Sequence, residues 1–594
     1  MQKLFTAEGL SLPKVPWDRY PRPQLKRREW LCLNGTWTLR LEHGAITPVR
    51  VPFCPESLLS GVTRAPEIGE RMNYQRSFCL PETWRGRRIL LHFGAVSREA
   101  VVRINGTEVI RHDQAYLSFT ADITDCVRDG ENRLEVSVMN DLSPKFPRGK
   151  QSRKRGGMWY TPCSGIWQTV WLEPVPEVYI RRLKIRTGSD WAEISAEGVR
   201  DGTVTLEGKA FPLTDGRAVI PIPDGRCWTP EDPVLYRFRI RAGEDEAESY
   251  FALRSLSIHT VRGIPRLCLN GKPLFFNALL DQGYWSDGLY TPASPEGFAE
   301  DILAMKKRGF NTLRKHGKIE PELFYYDCDR LGMIVFQDMV SSGEYRFLRD
   351  TALPTAHFSR RGDRRLTPDP ETRKNFRIAM TKTVRQLENH PCICLWTIFN
   401  EGWGQFCADE CYRELKALDP DRFIDSTSGW FHQKESDVDS LHLYFEKLHL
   451  GKQARPQLLS EFGGYAWSVP GHSFNPEKTY GYRKYEKQED FLRALRDLYE
   501  GEILPLARKG LCGAVYTQLS DVEDETNGLV SFDRAVQKLP PGTLRDIADS
   551  LPPEPRYMPD SLLSAYSRQI PSPYMVLHQG ELLRQDSPLP VQEL

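Results

Sequence analysis

Between residues 30 and 172 apolar and polar positions alternate in short runs, as in 88–93, 100–106 and 132–138, with turn residues between them. A period of two puts successive side chains on opposite faces of an extended chain, so each run predicts a half-buried strand. Asn105-Gly106 supplies the left-handed backbone that a tight hairpin needs, and the regular spacing predicts an all-β sandwich. The alternation returns from about residue 178 to 258, as in 203–207 and 236–240. A block of roughly 80 residues with this pattern predicts a small immunoglobulin-like sandwich. Pro174, Pro176 and Glu177 mark the joint between the two.

After Asn270-Gly271-Lys272-Pro273 the period changes. A strand-like run at 274–280 precedes a helix expected to start near Ser294-Pro295 and to stop at Gly309, with Phe298, Ile302 and Met305 on one face. Further strands are predicted at 311–314, 333–336, 392–397, 423–425, 440–444, 457–460 and 512–516, most of them flanked by helical pattern. Eight such units over about 290 residues predict a (β/α)8 barrel. From about Pro552 the chain is Pro-rich and irregular, which predicts a tail that wraps the surface or moves partly free of it.

Length and charge narrow the function. At 594 residues the chain is too long for one ordinary core. Lys plus Arg (80) and Asp plus Glu (79) nearly cancel, which removes the basic field of a dedicated nucleic-acid binder. No run approaches the roughly 18 to 20 apolar residues of a membrane span, and the N-terminal residues lack a signal-peptide core, so a cytoplasmic location with no membrane partner is expected. The 13 cysteines are odd in number, and several (Cys32, Cys268, Cys392, Cys394, Cys512) sit in apolar runs where a reduced thiol packs. Cys392 and Cys394 have no second ligand pair at zinc spacing, so no metal site is expected. Fourteen Trp accord with sugar recognition, although most are expected in cores.

Barrel chemistry gathers at the C-terminal ends of the strands, so polar residues that end apolar strands are the candidates. They are Asp281 after the first strand, Arg314 and His316 after the second, Asp338 after the third, Asn400 and Glu401 after the fourth, Trp430 after the fifth, His442 and Tyr444 at the sixth, Glu461 at the seventh and Asp521 after the eighth. Glu401 and Glu461 should face each other across the mouth. A retaining glycosidase needs such a pair, one carboxyl protonating the leaving oxygen while the other attacks the anomeric carbon. Glu401 is assigned as acid/base and Glu461 as nucleophile; Asn400 can donate to the sugar 2-hydroxyl, and Tyr444 can hold the nucleophile. Arg314 and Asp338 bind sugar or form a barrel-core ion pair. His316 and His442 contact the sugar or pack at the strand ends, Trp403 and Trp430 stack on it or wall the pocket, and Asp281 binds a hydroxyl or caps a turn.

Asn389-His390-Pro391-Cys392-Ile393, Asn400-Glu401 and Ser460-Glu461-Phe462-Gly463, in that order and spacing, resemble glycoside hydrolase family 2. Residues 30–37 and 164–173 are similar to that family's sugar-binding jelly roll. The resemblance implies a multidomain fold: a jelly roll over 1–177, an immunoglobulin-like β-sandwich over 178–260, a catalytic (β/α)8 TIM barrel over 261–551 and a tail over 552–594. Within it, 281–285, 314–316 and 521–523 resemble segments that line the sugar pocket. The family's glucuronidases grip the sugar carboxylate with an Asn-x-Lys pair, whereas Asn527-Gly528-Leu529 has no lysine two places on. The basic run 148–155 is a substitute cation if it reaches the mouth, and a solvated loop otherwise. The short nucleophile motif implies neither metal nor cofactor.

The expectation is a retaining exo-β-glycosidase acting on a carbohydrate or glycoconjugate, with β-galactoside favoured and β-glucuronide, β-mannoside and β-galactofuranoside as alternatives. A transglycosylase uses the same residues, and the rival of another class is an inactive carbohydrate-binding protein. No nucleic-acid partner is expected, and a homo-oligomer is left open.

Overall fold

The computed structural model describes residues 1–42, 44–355, 362–451 and 454–552; most of the predicted Pro-rich tail, from 553 onward, lies outside them. The first 175 residues build two antiparallel sheets. One runs in the order Leu31–Cys32, Val170–Val175, Arg88–Phe93, Phe119–Asp122; the other runs Ile46–Val51, Gly35–Leu41, Arg71–Cys79, Glu131–Met139, Glu99–Ile104, Thr107–His112. Their inward residues, among them Trp37, Tyr74, Leu91 and Val136, form one core. The Asn105-Gly106 hairpin closes with both residues at positive φ (51° and 89°) and pairs Ile104 with Thr107. Such backbone follows the right-handed twist of the flanking strands.

A second sandwich follows, with three strands (Arg182–Thr187, Trp191–Glu197, Arg217–Pro221) over four (Lys209–Leu213, Gly202–Leu206, Tyr236–Ala242, Asp245–Phe251). The two sandwiches meet over a buried charge cluster. Glu173 accepts from Arg27 (2.9 Å), Arg22 (3.0 Å), Tyr20 (2.5 Å) and the Trp171 indole (3.0 Å), and Arg27 continues to Asp245 at 2.9 Å. Burial alone would raise the Glu173 pKa, but the surrounding cations outweigh it and hold the carboxylate ionised.

The barrel comprises β1 (Phe276–Asp281), β2 (Thr312–Lys315), β3 (Ile334–Asp338), β4 (Ile393–Asn400), β5 (Phe423–Ser428), β6 (Asp439–Leu443), β7 (Gln457–Gly463) and β8 (Leu511–Thr517), all paired in parallel. The eight-stranded expectation holds, and the helix expected from 294 to 309 spans Glu296–Lys306 with Phe298, Ile302 and Met305 buried. The ladder runs β5-β4-β3-β2-β1-β8-β7-β6 and leaves β5 and β6 unpaired with each other. Side chains bridge that seam: Ser440 Oγ donates to Thr427 O at 3.3 Å, and Ser428 Oγ lies 3.1 Å from His442 Nε2. Among the described residues no helix is long and apolar enough to cross a membrane. All 13 cysteines are free thiols.

Candidate active site

Every residue of β4 is buried, and the chain turns sharply where the strand ends. Glu401 adopts φ 55° and Gly402 φ 69°; a Cβ on Gly402 would lie 2.1 Å from the Phe431 ring, so only glycine fits the second position. A glutamate in the left-handed region is held there by its surroundings. Its N–H donates to Ser428 O at 2.9 Å, and its carboxylate reaches 3.0 Å from His442 Nδ1.

Glu461, on buried β7, receives Arg314 Nη1 on Oε1 at 3.1 Å and the Tyr444 hydroxyl on Oε2 at 2.5 Å. His442 stands between the two glutamates, its Nε2 3.7 Å from Glu461 Oε1. One ligand atom from each of Glu401, His442 and Glu461 lies within 4.8 Å of the other two. An approach this close is compatible with the ~5–5.5 Å carboxyl spacing of retaining enzymes.

The charges around the pair make the two carboxyls unlike. Burial pushes the Glu461 pKa up, but the combined fields of His442, Arg314, His316 and Lys150 outweigh it and hold the carboxyl at about 2. Among the described residues Glu401 has no guanidinium partner, and it is more open, its side chain 18% exposed against 7% for Glu461. Arg314 is the hub: it also donates to Asn400 Oδ1 at 2.8 Å and to Ser460 O at 2.9 Å, and it pairs with Asp338 at 3.0 Å. Asp338 in turn holds His316 Nδ1 at 2.6 Å. Buried Asp425 stands beside this hub and is pushed up to about 6 by desolvation.

Eight of the predicted residues thus form one connected network: Asn400, Glu401, Glu461, Arg314, His316, Asp338, His442 and Tyr444. The ion-pair reading of Arg314 describes its contacts, with Asp338 at 3.0 Å and Glu461 at 3.1 Å. Trp430 packs edge-on against His442 at 5.5 Å and donates to Asp350 O. Trp403 lies further out, bonded to Gly343 O at 3.0 Å and edge-on to Trp159 at 5.3 Å.

Asp281 and Asp521 are not drawn into this network. Asp281 takes Lys315 Nζ at 2.5 Å and the Gly283 N–H at 2.8 Å, while Asp521 takes Lys538 Nζ at 2.8 Å and the Gly528 N–H at 2.9 Å. The turn-capping reading of Asp281 describes its contacts.

The basic run 148–155 reaches the mouth. Arg148 and Gly149 donate their N–H groups to Ser341 O, beyond β3, at 3.0 and 3.3 Å. Arg155 lies 3.6 Å from Glu523 and 3.8 Å from Asp524, beyond β8, and the Thr161 N–H donates to Glu523 at 2.9 Å. The loop brings Lys150, Trp159 and Tyr160 to the site, residues that strand-end polarity could not single out. Tyr482, stacked on Tyr444 at 3.7 Å, and Glu525 also escaped that rule, although Glu525 lies two places beyond a segment already matched to a pocket wall.

Glu401, His442 and Glu461 have the donor types and spacing of a cation site. Both Glu461 oxygens are already committed, to Arg314 and Tyr444, and a cation on Oε1 would sit against the guanidinium. The guanidinium fills the counter-charge role here.

Two family models match the chain: the TIM barrel domain of glycosyl hydrolases family 2 over residues 261–500 and the galactose-binding domain-like region of glycosyl hydrolase 2 over residues 64–200. A β-galactosidase of Yersinia pestis bv. Antiqua (strain Angola) is 24% identical over 488 residues, 73% of this chain and 43% of that protein. A β-galactosidase of Yersinia pseudotuberculosis serotype O:1b (strain IP 31758) is likewise 24% identical, over 42% of its length. The chain therefore spans less than half the length of these curated relatives. Among solved structures, a β-D-glucuronidase of Dictyoglomus thermophilum superposes with a TM-score of 0.70 at 18% identity, covering 91% of this chain and 99% of that one. A β-galacturonidase of Eisenbergiella tayi bound to galacturonate gives 0.66 at 22% identity, covering 90% and 99%. At these identities the likeness establishes a shared fold.

Proposed function

Because this chain belongs to family 2 of the glycosyl hydrolases, we propose that it is a retaining, exo-acting β-glycosidase that removes terminal β-linked sugars by double displacement. The observation that carries this reading is the close approach of Glu401 and Glu461, with only Glu461 clamped by a guanidinium and a phenol. A carboxylate held ionised and aimed by two donors suits a nucleophile, and a more open carboxyl beside an imidazole suits an acid that must later act as base.

In the first step Glu461 attacks the anomeric carbon while Glu401 gives its proton to the departing oxygen. The glycosidic C–O bond breaks as the ester to Glu461 forms. Glu401, now ionised, takes a proton from water, which attacks the same carbon and returns Glu461 as a carboxylate. Two inversions give net retention. Asn400, its Oδ1 fixed by Arg314, is left with its amide N–H groups to donate to the 2-hydroxyl as the oxocarbenium-like transition state forms. Trp430 and Trp403 wall the mouth.

For the sugar, β-galactoside is the favoured substrate, supported by the names of the curated relatives. The test of the mechanism is labelling with a 2-deoxy-2-fluoro glycosyl donor followed by peptide mapping. The ester is expected on Glu461; an adduct on Glu401, or turnover with no trapped ester under any donor, would remove the assignment.

A further inference from the structure

Lys150 and Glu525 stand at the mouth, and neither exchanges a bond or a proton in the double displacement. Lys150 belongs to the loop of the N-terminal sandwich that lies across the barrel, and its position is fixed from both sides. Gly149 before it sits at φ 59°, packed so closely that a Cβ there would lie 2.4 Å from Gly317 O beyond β2. The carbonyl of Lys150 itself accepts the Tyr160 N–H at 3.0 Å. Among the described residues its half-buried ammonium makes no hydrogen bond and no ion pair within 4.0 Å, although its field reaches Glu461, His316 and Glu525.

Glu525 is buried beyond β8, with Oε2 held by Gln518 Nε2 at 2.5 Å. The hydroxyl of Tyr160 lies fully buried beside the same carboxyl. Burial pushes the Glu525 carboxyl up to about 7 against the pull of Lys150, Tyr160 and Gln518. A donor on an anchored loop and a buried carboxyl beyond β8 therefore stand near the nucleophile. An ammonium without a partner is costly to bury unless something completes it.

We propose that Lys150 and Glu525 bind ring hydroxyls of the sugar seated between Glu401 and Glu461, and that this pair selects a neutral sugar over a uronate. A diol offers donors and acceptors together, which matches an ammonium beside a carboxyl. A sugar carboxylate offers acceptors alone, and it would enter a mouth that already holds Glu401, Glu461 and Glu525, with Arg314 committed to both Asp338 and Glu461. Arg155, on the same loop as Lys150, is already taken by Glu523 and Asp524. The inference rests on the glycosidase reading and deepens it.

The experiment measures kcat/KM on nitrophenyl β-glycosides that pair each neutral hexoside with its uronide, for the wild-type protein, Lys150→Met, Glu525→Gln and the double variant. The neutral member is expected to be preferred throughout. Each single variant should lose about 10- to 100-fold on it, and the double variant should lose less than the product of the two, because both groups hold one sugar. Preference for a uronide that vanishes in Lys150→Met would overturn the proposal, and so would single variants within about 2-fold of wild type on every neutral glycoside. Thermal melts of each variant separate lost binding from lost fold. Turnover of no glycoside by the wild-type protein would instead sink the glycosidase reading, and this proposal with it.

Discussion

Arg314 and Glu461 are joined at 3.1 Å inside the barrel, and the same guanidinium grips Asn400 at 2.8 Å. One cation thus keeps the proposed nucleophile ionised and orients the amide expected on the 2-hydroxyl. Replacing Arg314 with Met leaves the burial that raises the Glu461 pKa and removes part of what lowers it. The carboxylate, held at about 2 in the wild-type protein, then takes up a proton at higher pH. The acidic limb of the kcat/KM profile should move upward in pH, with activity lost most at the acid end. A pH series on one aryl glycoside reads this; an unmoved acidic limb would detach Arg314 from the nucleophile's charge.

Tyr444 gives Glu461 its second donor at 2.5 Å. A charge-assisted hydrogen bond of this kind contributes about 1.5–3 kcal/mol, so Tyr444→Phe should lower kcat by roughly 10- to 100-fold. Because the bond holds the nucleophile and not the sugar, KM should change little. Steady-state kinetics separate the two, and a pure KM effect would make Tyr444 a binding residue.

Glu461→Gly removes the nucleophile and leaves a space beside an intact acid. Azide should restore turnover and give the glycosyl azide of inverted, α configuration, since a single displacement replaces two. A β-azide would place the nucleophile elsewhere.

The charge cluster around Glu173 makes a prediction about stability. Glu173→Ala strands Arg27 and Arg22 in a buried junction, a change that costs on the order of 3–5 kcal/mol. Since the Glu173 pKa is depressed, its contribution is present above the ordinary carboxylate range and is lost as pH falls through the depressed value. Denaturant titrations of both proteins at neutral pH should therefore differ widely. Equal midpoints would show that the junction does not depend on this ion cluster.

Much of the site was legible because a barrel turns sequence position into spatial position. An apolar strand that ends in Asn400-Glu401, or in Ser460-Glu461, must deliver those side chains to one face, and Arg314, Asp338, His442 and Tyr444 follow by the same rule. That rule also gathers too much. Asp281 and Asp521 end strands as well, but a lysine beside each, Lys315 next in the ladder and Lys538 beyond β8, takes the carboxylate. Lys150, Tyr160 and Glu525 escaped for the opposite reason. Their place at the mouth is set by contacts between Arg155 and the loop beyond β8, more than 360 residues away, and no local period records such a contact. The sandwiches were readable from alternation alone, because each strand has one face in a core.

The stereochemistry of the first product tests the two-carboxylate account most directly. Proton NMR during hydrolysis of a nitrophenyl β-glycoside, read before mutarotation, is predicted to show the β-hemiacetal appearing first. The α-anomer appearing first would mean a single displacement by water, and Glu461 could not then be the nucleophile.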